Sequence, residues 1–589
     1  MALFTPSASP AVTVKEIDLT GVVPNVQTST GAFVGNFGWG PVGEATLISD
    51  ENGLVSTFSA PISTNTVDFH TAAYFLRYSS SMHVVRVQDS DAKNSVANHT
   101  SLGSLTAQTI NTLDAFEDLA LDSSDGAFLA KYPGVLGDAL EVSIVGTPTD
   151  AASATTMFDA WAYKGSFDGP TGTSSSVAEL DGSNDEIHVA VVDRTGGITG
   201  VAGTVLETFP YLSVASNAKG SDGTSNFYKD VLKNKSSWIY AGGFHLGDSA
   251  GVSDFHHATT WDTPATKGTA VNYATGNTTS QRTWTFAGGV TTVDISTANI
   301  TAGFDKCNDT DNIEVDFLIP PALADNTAAT TVVNDLVAIA EVRKDCVAVA
   351  SPSIAAAITT GTNAAVITCG NTYTKSSYLV QDNNFLKVFD KYNDKYINIP
   401  ACSSTAGLMA ATDLVAAPWF SPAGARRGRY LGITDIVLSP TKAERDALYK
   451  VGINPVANIP GDGVVLFGDK TNLSRPSAFD RINVRRLFLA IERAIGIAGR
   501  NVMFEFNDEF TRAEFVNIVE PFLREIQGRR GITDFKVQCD ATNNTPAVVD
   551  RNEFIASIFI KPARSINYVT LNFVAVRTGV EFEEVVGTV

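Results

Sequence analysis

The stretch VVNDLVAIAEVRKDCVAVASP, residues 332–352, combines a helical pattern with a short buried strand. From Val332 to Val342 the apolar residues recur at helical spacing, so this part predicts a helix with one apolar face. The four apolar residues Val347–Ala350 end at Ser351-Pro352, a pattern typical of a buried strand. A helix that leads directly into a buried strand indicates an α/β unit.

Two further helices are expected in the last third of the chain. One is predicted over residues 479–497, with Asp480 placed to cap its N-terminus. The other is predicted over residues 512–527, with Pro521 bending it. The first helix also has a basic stripe, which is either a solvated face or a docking site for an acidic protein surface. The stripe consists of Arg481, Arg485, Arg486, Arg493 and Arg500.

Both ends of the chain have strand-forming patterns. The apolar residues of these patterns are Val12, Val14 and Ile17 at one end and Val569, Leu571 and Phe573 at the other. The C-terminal three alternate with polar residues and therefore share one face of a strand. Each segment either joins a sheet of its own chain or adds a strand to a neighbour's sheet edge, where main-chain hydrogen bonds provide the affinity.

Charge is unevenly distributed along the 589 residues. Residues 1–384 contain 17 Lys and Arg against 40 Asp and Glu, a net charge of −23, and residues 385–575 contain 24 against 20, a net charge of +4. With residues 576–589 the total is −21. This asymmetry indicates two different surroundings, one facing solvent and one facing protein. Because an acidic surface repels phosphate backbones, nucleic acid is not an expected partner.

The middle of the chain has a composition of its own. Residues 96–330 are rich in Thr, Ser, Ala, Asn, Asp and Gly. This composition is typical of short strands joined by many turns, as in barrels and sandwiches. Loops of this kind tolerate insertion, so the middle is predicted to form one or two peripheral domains.

Several classes of protein and site are not expected. The chain has no apolar run near the roughly 20 residues that cross a bilayer, and its start has no secretory signal pattern. The five cysteines contain no CxxC pair, so scattered, buried and reduced thiols are expected rather than a zinc site. His256-His257 is an adjacent pair, and neighbouring side chains point in different directions, so it is not expected to bind a metal. No catalytic, metal or cofactor-binding residue is predicted.

The segment from Gly463 to Thr471 partly matches a phosphate-binding loop. In the true pattern Lys directly follows the second Gly, so that its amine meets phosphates held by backbone N–H groups. Here Asp469 stands between Gly468 and Lys470 and places a negative charge where phosphate would lie. A turn after a buried strand is the preferred interpretation.

The sequence resembles the tail sheath proteins of contractile-tailed bacteriophages, most closely those of the T-even-like group. The similar segments are scattered over residues 1–95 and 335–575, with a weaker match in the middle at residues 131–138, while residues 140–330 differ most. The segments include STGAFVGNFGWGP (29–41), NGLVSTF (52–58), MHVVRV (82–87), KYPGVLGD (131–138), RKDC (343–346), DKYND (390–394), WFSPAG (419–424), GDKT (468–471), FDRINVRRLF (479–488), CDATNNTP (539–546) and PARSINY (562–568).

The resemblance implies an α/β and α+β multidomain protein with a core of mixed sheet and helices built from both chain ends and with β-rich outer insertions. The predicted parts are an N-terminal linking arm (1–20), the N-terminal part of the inner and middle domain (21–95), outer β-rich protruding domains (96–330), a middle α/β segment (331–384), a C-terminal core domain facing the tail tube (385–575) and a C-terminal arm (576–589).

The resemblance also implies a function. Family subunits form stacked hexameric rings around a tail tube, exchange strands through their arms, and contract to drive the tube through the host envelope. The implied partners are further copies of the chain, the tube protein, and the baseplate and tail terminator proteins, with no cofactor and no membrane insertion. The implied location is the virion, after synthesis in the host cytoplasm. The basic stripe is then expected to face the tube.

Two alternatives remain at this point. One is the sheath of a phage-derived injection device, which the sequence alone does not separate from a phage sheath. The other is a soluble nucleotide-dependent enzyme that uses residues 463–471, against which the intervening Asp469 argues.

Overall fold

The computed structural model describes residues 28–98, 108–119, 126–147, 151–242, 261–273, 282–292 and 295–567. These residues form two compact units. The larger unit contains the described residues of 27–415 and 422–480, and the C-terminal unit contains 416–421 and the described residues from 481 onward. The described strands and α-helices are numbered β1 to β23 and α1 to α14 in chain order.

The larger unit is built on a seven-stranded mixed sheet. Its strands, in spatial order, are β19 (Ile453–Asn454), β15 (Leu379–Asp382), β14 (Val347–Ala350), β13 (Phe317–Ile319), β1 (Gly31–Gly35), β3 (Met82–Arg86) and β2 (Ala45–Ile48). Six strands run parallel and β2 is antiparallel to β3. The sheet thus joins strands from residues 31–86 to strands from residues 317–454.

Helices cover both faces of this central sheet. They are α1 (Glu51–Phe58), α2 (Thr66–Leu76), α7 (Thr297–Asp305), α8 (Asn326–Arg343), α9 (Asn363–Asn371), α10 (Cys402–Val415) and α11 (Lys442–Lys450), with a π-helical turn at Ala355–Thr359. Alternate strand residues face opposite sides: Ala32 and Val34 pack in one buried cluster with residues of α7 and α8. On the other side, the ring centroid of Phe75 in α2 lies 6.2 Å from that of Phe317.

A second seven-stranded sheet, entirely antiparallel, is inserted between β3 and β13. Its spatial order is β10 (Ile239–Ala241), β5 (Phe128–Ala130), β4 (Val96–Asn98), β12 (Arg282–Ala287), β6 (Leu140–Gly146), β8 (Glu186–Asp193) and β9 (Thr204–Ser213). The described helices of this segment are α3 (Leu113–Glu117), α4 (Ala151–Ala160), α5 (Ser175–Ala178) and α6 (Tyr228–Lys235), and β7 (Gly182–Ser183) pairs with β11 (Val271–Asn272). Lys93 and Val290 pair at the base of the insertion.

The remaining strands of the larger unit form two small antiparallel sheets. They are β17 (Lys395–Pro400), β16 (Phe385–Asp390) and β18 (Asp435–Ile436) in one, and β20 (Val456–Ile459) and β21 (Gly463–Leu466) in the other. Helix α2 packs against both β17 and α10. These contacts tie residues 385–480 to the central sheet.

The C-terminal unit contains two long helices and a two-stranded sheet. Its elements are α12 (Ile482–Arg500), α13 (Glu509–Gly528), β22 (Ile532–Gln538), α14 (Pro546–Val549) and β23 (Ser557–Pro562). Helix α13 packs on α12 and on β22. Its buried residues, including Phe515, Val519 and Leu523, join Trp419 in one apolar core.

The predicted α/β unit is confirmed, since α8 leads into the fully buried strand β14. The predicted domain division stays a prediction. In the structure, β13 and α7 belong to the layers of the central sheet although they precede residue 330. Strand β19 pairs with β15, and the C-terminal unit consists mainly of the described residues from Arg481 onward.

Candidate assembly surfaces

The predicted basic stripe lies on and just before α12, and its accessibility changes along the helix. Arg485 and Arg486 are buried, and Arg481 and Arg493 are half-buried. Arg500, the last residue of α12, is exposed. Residues 486, 493 and 500 are seven apart and therefore share a face. The accessible part of the stripe is thus Arg481 at the start of α12 and Arg493 and Arg500 near its end, and its tube-facing role stays a prediction.

The predicted start and cap of α12 are wrong. Asp480 ends a 3₁₀ turn at Ala478–Asp480, and its carbonyl accepts a hydrogen bond from Thr471 N at 3.1 Å. The helix begins at Ile482 with Arg481 in the N-cap position, and no described side chain caps it. Because Asp480 is held in the preceding turn, it cannot also occupy the extended N-cap position.

The second predicted helix is confirmed and is longer than expected. Helix α13 contains Pro521 and begins after Asp508, whose carboxylate accepts a hydrogen bond from Thr511 N at 2.8 Å. This bond satisfies one N–H group of the first turn and holds the pKa of Asp508 below its usual range.

The sheet of β22 and β23 is a candidate acceptor for an added strand. The two strands pair antiparallel with an irregularity between Ile532 and Asp534. Within the described residues neither outer edge pairs with a further strand. A two-stranded sheet is marginally stable alone, and here it relies on α13, which packs on β22.

The predicted linking-arm residues lie outside the described residues. These are Val12, Val14, Ile17, Val569, Leu571 and Phe573. The predicted strand over residues 565–574 is described only as far as Asn567, and that part is not a strand. Strand exchange therefore stays a prediction.

The segment with the partial phosphate-loop pattern has a structural role. The predicted strand is present as β21, and the residues that follow it, 467–469, have no regular structure rather than the predicted turn. The Lys470 amine donates to Tyr449 O at 2.8 Å and lies 4.2 Å from the Tyr449 ring centroid. The Thr471 hydroxyl donates to Phe479 O at 2.8 Å, and Asp469 is buried. The Lys and Thr that would bind phosphate are thus committed to the fold.

A buried polar cluster lies at the carboxyl ends of β14 and β15. The Asp382 carboxylate accepts hydrogen bonds from Ser351 Oγ at 2.8 Å and Thr405 Oγ1 at 3.1 Å. The Asn384 side chain accepts from Leu438 N at 2.9 Å and donates to Leu438 O at 2.6 Å. Burial is the main cause that raises the pKa of Asp382 to about 7. The cluster joins the central sheet to α10 and to the chain around residue 438, and sequence reasoning missed it.

Arg86 links the central sheet to the inserted sheet. Its fully buried guanidinium donates to the carbonyl oxygens of Phe37 at 2.9 Å, Gly40 at 2.7 Å and Pro133 at 2.6 Å. Burial lowers its pKa to about 9. Next to it, the Trp39 ring centroid lies 5.5 Å from that of Tyr132. These contacts fix the insertion on β3.

The prediction for the cysteines can be compared with the structure, whereas the prediction for the histidine pair cannot. All five cysteines are free and buried, as predicted, and burial raises the pKa of Cys307 to about 11. His256 and His257 lie outside the described residues. Among the described residues no group of His, Cys, Asp and Glu has the arrangement of a metal site.

None of the helices in the described part is both long and apolar enough to cross a membrane.

Comparison with known proteins identifies the family. Residues 288–472 match the family described as the phage tail sheath protein central domain, and residues 474–575 match the phage tail sheath C-terminal domain. The chain is 31% identical to the tail sheath protein of Enterobacteria phage T4 and 30% identical to that of Vibrio phage KVP40. Both alignments cover 98% of this chain and 99% of the relative.

A solved structure shows the same fold. The sheath tail protein of Listeria innocua superposes with a TM-score of 0.51 at 12% identity, over 91% of this chain and 96% of that one. Fold and relatives together define a structural component of the virion rather than an enzyme. The chain belongs to the tail sheath protein family of bacteriophages, as its resemblance to the T-even-like group predicted.

Proposed function

We propose that this chain is the repeating subunit of a contractile tail sheath, in which hexameric rings stack around a tail tube and contract to drive the tube through the host cell envelope. The observation that carries the proposal is the match to two phage tail sheath proteins over 98% of the chain. The proposed partners are further copies of the chain, the tube protein, and the baseplate and tail terminator proteins.

Contraction in this proposal needs no nucleotide. It is a repacking of rigid subunits from one arrangement to another. A gain of about 1 kcal/mol per subunit adds up over many copies, because distant and independent interfaces contribute additively. The commitment of Lys470 and Thr471 to the fold supports this, since it leaves the partial phosphate-loop pattern without its phosphate ligands.

The proposed links between subunits are the two arms, residues 1–20 and 576–589, and the strand patterns next to them. An arm strand from one subunit would add to the β22–β23 sheet of another, whose outer edges have no paired strand among the described residues and so offer backbone N–H and C=O groups. A third strand would also stabilise a sheet that is marginal with two.

Electron microscopy of the purified protein tests the proposal. In negative stain we expect long striated tubes that form without any added nucleotide. Protein that stays strictly monomeric at high concentration over a wide range of salt would contradict the proposal.

A further inference from the structure

The loop between α12 and α13, together with the first turn of α13, exposes four large apolar side chains. In residues 501–510, here called the aromatic loop, Phe504 is fully exposed, Phe506 is 84% exposed, Phe510 is 74% exposed and Met503 is 59% exposed. Soluble proteins rarely leave several large apolar side chains together in water without a partner. Aromatic residues also contribute most of the binding energy in many protein interfaces.

Hydrogen bonds hold the aromatic loop in a defined conformation. The Asn507 amide donates to Glu553 O at 2.8 Å, and Asp508 N donates to Phe506 O at 2.9 Å. Phe504 has a φ of 70°, a left-handed conformation that is rare for a bulky residue. Such strain persists where the surrounding structure imposes it, often at binding sites. The loop therefore presents its apolar side chains as a fixed surface.

The aromatic loop is also acidic. The carboxylates of Glu505 and Glu509 are exposed beside the phenylalanines, and Asp508 adds a third negative charge. A partner that covers this loop must therefore combine apolar area with positive charge, because an unpaired carboxylate is costly to bury.

A surface with these properties occurs on the larger unit. Residues 425–431, here called the basic loop, contain three arginines, of which Arg426 and Arg429 are exposed, and end at Leu431, which is 50% exposed. The loop is held by Tyr430 N, which donates to Val464 O at 3.1 Å, and by Leu431 N, which donates to the Tyr78 hydroxyl at 2.7 Å. Burial and the neighbouring charge of Arg426 lower the pKa of Arg427. An acidic partner would relieve this concentration of like charge.

We propose that the aromatic loop of one subunit docks on the basic loop of a second copy of this chain. The exposed phenylalanines would cover Leu431, and Glu505 and Glu509 would face Arg426 and Arg429. Since the two loops are different surfaces, the contact is heterologous and propagates from copy to copy. This inference rests on the proposed function, because it assigns a contact within the sheath.

Charge reversal tests the contact. One variant carries Glu505→Lys and Glu509→Lys, and the other carries Arg426→Glu and Arg429→Glu. We expect each alone to raise the critical concentration for tube formation about tenfold or more, measured by sedimentation. A matched control, Glu525→Lys at the other end of α13, should assemble as wild type does. Circular dichroism of each variant verifies that the subunit is folded.

Mixing the two variants identifies the partner. In an equimolar mixture each altered loop meets its complement on another molecule, so the critical concentration should return toward the wild-type value. If the mixture does not assemble but a single chain carrying all four changes does, the two loops meet within one molecule and the inference is wrong.

Variants that remove the exposed apolar side chains test whether docking depends on them and not only on charge. Phe504→Ser with Phe506→Ser should also weaken assembly, whereas Val201→Ser, at a position of the inserted segment that is 65% exposed, serves as the control. If the loop variants assemble as wild type does but no longer co-sediment with tube protein, the loop binds the tube and the inference is overturned. If wild-type protein itself forms no tubes, the proposed function fails instead.

Discussion

Asp382 is a single residue whose burial makes the stability of the larger unit depend on pH. Its pKa is about 7 in the folded protein and about 4 in an unfolded chain. Between about pH 4 and about pH 7 the Asp382 carboxyl is therefore protonated in the folded protein and ionised in the unfolded chain. Its contribution to stability is therefore complete below about pH 4 and is lost as the pH rises through about 7.

The variant Asp382→Asn should remove this dependence. The amide keeps the acceptor for Ser351 and Asn384, and it stays neutral at every pH. We expect the variant to gain stability relative to wild type as the pH rises from 5 to 8, by roughly 2–4 kcal/mol. Urea denaturation over this pH range measures the difference. The exposed Asp159→Asn is the control, and an unchanged difference across the range would contradict the prediction.

Arg86 should be intolerant of even a conservative change. A lysine has one amine in place of the planar guanidinium, so it cannot reach the carbonyls of Phe37, Gly40 and Pro133 together. Leaving buried carbonyls without a donor costs about 1–3 kcal/mol each. We expect Arg86→Lys to lower the free energy of unfolding by roughly 2–4 kcal/mol. Arg194→Lys, at an exposed arginine with one bond to Asp138 O, should change it little, and equal losses would refute the proposed role.

At the scale of elements, the C-terminal half of α12 offers a sharper test of tube docking than the complete basic stripe does. Reversing a buried arginine such as Arg486 would destabilise the fold, so the informative residues are Arg493 and Arg500. We expect Arg493→Glu with Arg500→Glu to reduce co-sedimentation with tube protein, with a larger loss at low salt. The control is Arg524→Glu on the exposed side of α13, and equal binding by both variants would remove the stripe from the interface.

The sequence predicted elements best where the pattern was local. The period of the apolar residues sufficed for α8 and β14, because both are buried against the same core. It failed at the start of α12, where the 3₁₀ turn at Ala478–Asp480 is fixed by a contact with Thr471 that no local pattern reveals. The Asp382 cluster was missed for the same reason, since its members come from strands and helices far apart in the chain.

At the scale of the whole molecule, the arms give the most direct test of assembly. We expect chains lacking residues 1–18 or 577–589 to remain folded, because both deletions leave the described cores intact. They should not polymerise, since each loses a proposed linking segment. Size-exclusion chromatography and negative-stain microscopy measure the result. Normal tubes from either truncation would show that this end is not a link.

The sequence anticipated the large-scale organisation in part. It predicted mixed helices and sheets with a β-rich insertion, and these are present. The core built from both chain ends stays a prediction, because both ends lie outside the described residues. The domain boundaries predicted near residues 330 and 385 stay predictions; β13 precedes the first and β19 follows the second, and both strands pair within the central sheet, which composition alone does not reveal. The charge division at residue 384 falls within the larger unit and so does not mark a boundary between compact units.

The pairing of Lys93 with Val290 brings the two ends of the inserted segment together. Lys93 N donates to Val290 O at 3.1 Å, and Val290 N donates to Lys93 O at 3.0 Å, so the chain leaves and re-enters the core at one point. Closing a loop there costs little more entropy for a long segment than for a short one. The length of the segment between Lys93 and Val290 can therefore change at little entropic cost, provided that Tyr132 and Pro133 keep their contacts with Trp39 and Arg86.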